Sequence, residues 1–435
     1  MAKAITHAMV FDYEDFYEDG YVVFDDKVID KGPMEKFKDE GYDIIDGRGH
    51  LVMPSFIIGH THIYSTFARG WINPFEYRNF MDILKEQWWK LDSGLRRESI
   101  YYSGIVNAAD HVKNGVTTLI DHHASGEIED SLDTLEKAVS EDIGLRGMFT
   151  FETSDRFDVE KCLQENAAFL KKGRTARRAG HFGLHASLSL SEETLKRVRE
   201  AKGDAPIHIH AAESAMDQAD AEERTGERVI ERLDRHGLLT PGSILVHALH
   251  INDAERDIIK KRGAVVALNP SSNMNNGVGI PDYPALRNKG IPVIVGNDGL
   301  SFSATSEYRT LFFASHALKE DFTAMGLEDI QRIIDDTYAY ASEHLGVRLG
   351  RFRKGYEADL LMLPYTPPTP ISLDNALGHL FFGTFDSFKP SDVFVGGRHI
   401  VRNYTLDADN ESRYRDARAH AQHVWDTLNR KGETE

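Results

Sequence analysis

Two histidines, His60 and His62, stand two residues apart at the end of the apolar run Leu51 to Gly59. Successive side chains of a strand point to opposite faces, so this spacing sets two imidazoles parallel on one face, as paired metal ligands require. A lone His-x-His pair is a weak signal. Four further apolar runs, however, also end in groups able to serve a metal: His208-Ile209-His210 with Glu213, His247 with His250, His185, and Asp298 within Val295-Gly296-Asn297-Asp298-Gly299. Chance does not easily place such groups at equivalent ends of successive strands.

A set of this kind needs strands to present it, and a β/α rhythm supplies them. Apolar, β-branched runs recur at residues 51–62, 115–123, 144–152, 181–190, 206–213, 243–250, 263–270 and 291–298. Helical stretches lie between most of them. Ser191-Glu192-Glu193-Thr194 opens one that stops at Gly203, and Asn252-Asp253-Ala254-Glu255 opens another that stops at Gly263. Only Pro281 to Gly290 is too short for a full helix. Eight alternations, with strands apolar on both faces, predict an α/β fold of the (β/α)8 barrel type, whose chemistry sits at the C-terminal strand ends.

The flanks read differently. Residues 1–53 hold short strands such as Tyr21 to Ile29, and residues 355–408 hold others, Gly355 to Leu363 and Val393 to Val401. Both ends are expected to build one small composite β-sandwich beside a barrel spanning 54–354. The charged, helical pattern from Asn410 to Lys431 predicts a solvated C-terminal helix within 409–435.

Composition bounds the possible partners. With 435 residues, 41% hydrophobic, the chain can bury a large core. A formal charge of -18 disfavours nucleic acid, whose binding needs clustered Lys and Arg. The single cysteine, Cys162, permits no intrachain disulfide and fits a reducing compartment. Residues Met1 to His7 show no apolar signal core and no run approaches membrane-spanning length, so a cytoplasmic protein with no membrane partner is expected.

The arrangement resembles the amidohydrolase superfamily, and within it the aminohydrolase and chlorohydrolase branch: Pro54 through Arg69-Gly70 looks like that branch's proline-to-His-x-His segment with its trailing Arg-Gly. Leu119 to Ser125, Trp88-Trp89-Lys90-Leu91-Asp92 and Asn269 to Asn276 look closest to the aminohydrolases called SsnA, found beside anaerobic purine-breakdown genes. The resemblance implies His60, His62, His210 and Asp298 as metal ligands, Glu213 as proton shuttle, and His247 as the imidazole steering the attacking water. It places His185, with Arg69 and Asn273 from the resembling segments, against the substrate. It also implies a small heterocyclic substrate and a homodimer.

Chemistry asks for the same residue types. Three neutral imidazoles and one carboxylate suit zinc, with iron second, and an open position leaves room for a water whose acidity the ion raises. Asp298 can both ligate and accept that water's proton, and Glu213 can protonate a ring nitrogen, making an amidine-like carbon electrophilic. Relatives with two metals bridge them through a carboxylated lysine or a glutamate of the fourth strand. Leu184-His185-Ala186-Ser187 offers neither, so one metal is expected. The expected reaction is hydrolytic deamination of a purine-like ring; the rivals are cyclic-amide opening or displacement of another leaving group, and, more distantly, a non-catalytic assembly protein on the same barrel.

Several residues carry plainer readings. His208, one layer deeper than His210, is expected to be a packed barrel histidine, and His250 to leave its strand for the loop. His122 and His123 either line the pocket or are solvated. Trp71, Trp88 and Trp89, in a long insertion after the first strand, are expected to pack more than to stack on substrate, although a lid is open to them. Leu268 stands where relatives in this branch often carry a histidine, so a hydrogen-bonding contact to substrate is absent there.

Overall fold

A computed structural model describes residues 2–432. Its centre is a ring of parallel strands: Phe56–Thr61, Val116–Asp121, Arg146–Phe149 and Arg178–Gly180 form one hydrogen-bonded sheet. Phe182–Ala186, Ile207–Ala211, Ile244–His247, Val265–Leu268 and Val293–Val295 form the next. Arg178–Gly180 and Phe182–Ala186 are two parts of the fourth strand, interrupted at His181. Backbone hydrogen bonds bridge both seams, from Thr153 N to Gly183 O at 3.1 Å and from Asn297 N to His60 O at 2.9 Å. The second seam needs Gly296, because a Cβ there would stand 2.5 Å from the His60 carbonyl oxygen.

The helices between strands begin and end as the sequence indicates. Ser191 caps Glu192–Lys202 and Asn252 caps Asp253–Arg262 with a reciprocal Glu255 bond, while Gly203 and Gly263 close them. The Pro281 to Gly290 stretch holds the short helix Tyr283–Lys289.

The run 51–62 is two strands, not one. His50–Pro54 pairs antiparallel with Leu360–Pro364 in an outer sheet, and the chain turns at Ser55 before Phe56–Thr61 enters the barrel. That outer sheet is built from both chain ends: eight strands join, with Lys3–Phe11 at the branch, pairing first with Asp43–Asp46 and then with His50–Pro54. A bulge at His7 (φ 57°) redirects the strand between these partners. Its core joins Ile5, Val22, Phe24 and Val52 from one end with Leu360, Met362 and Phe394 from the other. A buried Arg146 ties it to the barrel, donating to Asp359 at 2.7 and 2.8 Å and to Glu357 at 2.8 Å.

The C-terminal helix is Ala408–Gly432, and it is docked rather than solvated. Ala417, Val424 and Leu428 are buried, and Trp425 Nε1 donates to the Phe67 carbonyl at 2.7 Å. The apolar stripe at 417, 424 and 428 accounts for this, because these positions share one helix face. The helix braces the insertion after the first strand. No helix among the described residues is long and apolar enough to cross a membrane.

Candidate metal centre

The C-terminal strand ends bring His60, His62, His210 and Asp298 together, with one donor atom of each within 4.8 Å of the others. Asp298 Oδ1 lies 3.0 Å from His60 Nε2 and 3.2 Å from His62 Nε2, and His62 Nε2 lies 3.2 Å from His210 Nε2. Ser272 donates to Asp298 Oδ2 at 2.6 Å and fixes the carboxylate plane.

Hydrogen bonds on the far side of the rings set the tautomers. His62 Nδ1 donates to the His122 carbonyl at 2.7 Å, and His210 Nδ1 donates to the His185 carbonyl at 2.9 Å. A neutral imidazole with its proton on Nδ1 keeps a lone pair on Nε2. Two such lone pairs 3.2 Å apart repel unless positive charge stands between them, so the donor set fits a divalent cation. Burial opposes a charged His62, yet the hydrogen bond and charge of Asp298, followed by Glu152, push it up to about 9. Burial takes His60 down to about 3 against the pull of Asp298. Burial alone would raise Asp298, but His60 and His62 hold it well below the usual carboxylate range.

The backbone is strained where these groups turn inward. Ala212 (φ 51°), His247 (φ 71°) and Asp298 (φ 54°) all sit in the left-handed region, at the ends of the fifth, sixth and eighth strands. Each such residue costs on the order of 1–3 kcal/mol and persists only where its surroundings impose it, typically at functional sites.

Above the cluster a cavity of about 700 Å³, its open mouth included, is lined by His62, His185, His210, Glu213, His247 and Asp298 on its polar side. Phe80, Leu84, Trp88 and Trp89 line the other side, so these two tryptophans of the insertion face the cavity. Trp71 does not; it packs under Lys90, 5.8 Å from the ring, and donates to Asn429. Glu213 Oε2 lies 3.5 Å from His247 Nε2. Burial, then the charge of Asp298, raise the Glu213 carboxyl well above its ordinary value. Asn273 Nδ2 donates to His247 Nδ1 at 2.8 Å, an orientation that places the ring proton on Nε2, facing Glu213. Burial keeps His247 neutral, down to about 4.

The remaining sequence expectations divide. His185 lines the cavity, its Nδ1 bonded to Ser189 Oγ at 2.6 Å. Arg69 does not reach the cavity: its guanidinium bonds Asp110 at 2.8 Å and stacks on Phe302, because the chain turns away through Ile63–Ala68. Asn273 does not line the cavity either, being fully buried behind His247. His122 and His123 are neither solvated nor lining; both are fully buried, with His122 Nε2 donating to the Leu184 carbonyl at 2.9 Å. His250 leaves the strand and bonds the Val278 carbonyl. Leu268 is buried in its strand.

Glu152, which is not among the residues expected from sequence, also lines the cavity, and it ends the third apolar run as the other polar groups end theirs. It is held by Arg156, which also bonds Asp92. Burial opposes its ionised form, but His185, Arg156 and His122 bring it down to about 2.

The sequence profile of the amidohydrolase family matches residues 51–400. The chain is 28% identical over 402 residues to the 5′-deoxyadenosine deaminase of Methanopyrus kandleri, covering 89% of each. It is 28% identical over 385 residues to the 5-methylthioadenosine/S-adenosylhomocysteine deaminase of Desulfitobacterium hafniense, covering 85% of this chain and 86% of that one. Among solved structures, a zinc-bound adenosine deaminase from Xanthomonas campestris superposes with a TM-score of 0.84 at 20% identity over 98% of both chains. The guanine deaminase of E. coli superposes at 0.75 and 18%, covering 92% of this chain and 99% of that one. With the profile spanning the barrel and both stretches that pair in the outer sheet, the chain belongs to the amidohydrolase family.

Proposed function

We propose that this protein is a metal-dependent aminohydrolase that deaminates an uncharged nitrogen heterocycle, a purine or purine nucleoside, and releases ammonia. The observation that carries this reading is the convergence of three imidazoles and Asp298 on one point beneath a cavity where Glu213 and His247 also meet. Relatives named as deaminases of adenosine derivatives support the substrate class. So does the lining, which holds no Lys or Arg to receive an anionic group.

His60, His62, His210 and Asp298 would hold the ion, zinc first and iron second. When bound, the ion supplies Lewis acidity that makes water available as a nucleophile at neutral pH. A single ion is favoured because the two other donor clusters, His122-Glu152-His210 and Glu213-His247-Asp298, each borrow a residue from the first, and His210 Nε2 has one lone pair to give.

The residues then move protons. Glu213 gives its proton to the ring nitrogen beside the reacting carbon, and Asp298 takes one from the attacking water as the carbon–oxygen bond forms. His247, its Nε2–H held inward by Asn273, steers that oxygen. Asp298 passes its proton to the amine, the carbon–nitrogen bond breaks and ammonia leaves. The remaining hydroxyl proton returns to Glu213, which restores both carboxyl groups to their starting states. His185 and Glu152 form the wall that meets the rest of the substrate.

In a panel of purines, purine nucleosides and related cyclic amidines offered to zinc-reconstituted protein, ammonia release from at least one member is expected. Ring opening or release of another leaving group without ammonia would replace deamination with the neighbouring hydrolytic reaction.

A further inference from the structure

The three imidazoles of the metal centre are not oriented alike. His62 and His210 donate from Nδ1 to backbone carbonyls, which can only accept, so their inward lone pairs are fixed by the chain itself. His60 instead meets another imidazole: its Nδ1 lies 2.9 Å from His208 Nε2, both rings fully buried. An imidazole nitrogen can donate or accept, so this bond alone leaves the His60 tautomer open. The metal closes the choice. To ligate through Nε2, His60 must carry its proton on Nδ1, and His208 Nε2 must accept it.

We infer that His208 is a positioning residue for the metal centre, the acceptor that holds His60 with its Nε2 lone pair turned inward. No other acceptor for His60 Nδ1 exists among the described residues. His208 can fill the role because its ring is fully buried on the same strand face as His210, with Nε2 turned toward His60 Nδ1. With His60 protonated on Nδ1, as ligation requires, His208 carries its own proton on Nδ1, which finds no partner in the structure. A buried imidazole with an unserved donor is retained at a cost of about 1–3 kcal/mol, so packing alone is a poor reason for histidine at this position. The strand period puts His208 and His210 on one face, one layer apart, so the fifth strand supplies both a ligand and the support for a ligand of the first strand.

The inference rests on the metal centre of the proposed function, and zinc affinity tests it independently of turnover. The probe is zinc alone, titrated against a competing chelator. His208→Leu removes the acceptor and should weaken zinc binding about 10- to 100-fold, the usual effect of losing a ligand's supporting bond. His208→Gln, whose side-chain oxygen can reach the former Nε2 position, should restore affinity to within about threefold of wild type on the same scale. Should the Leu variant not fold, His208→Asn keeps a polar side chain that stops short of His60 and should bind as weakly as Leu would. A merely structural role predicts that apo-protein unfolding midpoints fall while zinc affinity stays level. Leu or Asn variants binding zinc as wild type does, or a Gln variant as weak as Leu, would overturn the inference. Failure of the wild type itself to bind zinc would instead overturn the metal centre.

Discussion

Asp298→Asn separates holding a metal from doing chemistry. In the structure Oδ1 faces His60 and His62 at 3.0 and 3.2 Å, while Oδ2 accepts from Ser272 at 2.6 Å. An asparagine fits this frame without a clash. Its oxygen can face the imidazoles and its NH2 can donate to Ser272 Oγ, which accepts as readily as it donates. The left-handed backbone at 298 is also one that Asn tolerates. Fold and part of the metal affinity should therefore survive. What the amide cannot do is take a proton from water and return it to the leaving amine. Losing a positioned base costs about 10²–10⁴-fold, and this residue serves in both transfers, so the upper half applies: kcat about 10³–10⁴ lower. That raises the barrier by about 4–5.5 kcal/mol. The assay is ammonia release at matched metal occupancy, with occupancy measured by elemental analysis of the assayed samples. Turnover within about tenfold of wild type would show that Asp298 is not the base and move that role elsewhere, His247 being next in reach.

Glu213→Gln keeps shape and hydrogen-bonding capacity but cannot relay a proton; kcat should fall about 10²–10⁴-fold with metal content unchanged, read from steady-state rates and elemental analysis. Arg146→Met leaves Asp359 and Glu357 buried without their cation, and denaturant unfolding should show a loss of about 3–5 kcal/mol; a loss under 1 kcal/mol would mean the outer sheet does not depend on this clamp. Asp12 joins the N-terminal strands to the Phe352 amide and Lys31, and although burial opposes ionisation these partners hold its carboxyl below the ordinary value. A depressed folded-state pKa gives stability above the ordinary value of about 3.9 that is lost as pH falls through the folded value. Asp12→Asn should therefore cost about 1–3 kcal/mol at pH 7 and progressively less below pH 4, and a cost independent of pH would refute this.

The barrel and its site were legible because both rest on periodicity. Strands apolar on two faces, ending in His62, His185, His210, His247 and Asp298, announce a parallel barrel and the rim that bears its chemistry. The period is silent about where a strand changes sheet, so the run through Ser55 read as one strand. Arg69 shows a further limit: motif adjacency placed it at the substrate, but a turn of six residues was enough to aim it at Asp110. Asn273 bonds His247 Nδ1 from behind the cavity, a relation between side chains 26 positions apart that spacing cannot express. The charges of the terminal helix point to a solvated face, but its apolar stripe at 417, 424 and 428 is what docks it. Glu152 obeyed the strand-end rule that located its neighbours and was readable on those terms.

The proposed deamination depends on one ion held by His60, His62, His210 and Asp298. The deciding experiment strips the protein of metal, restores zinc in graded amounts and follows ammonia release on the most active heterocycle. Activity should rise in proportion to zinc and level off near one ion per chain, and a His60→Ala, His62→Ala double variant should neither retain zinc nor recover. Full turnover by metal-free protein, or activity that appears only as a second tightly held ion is added, would rule out a one-ion centre.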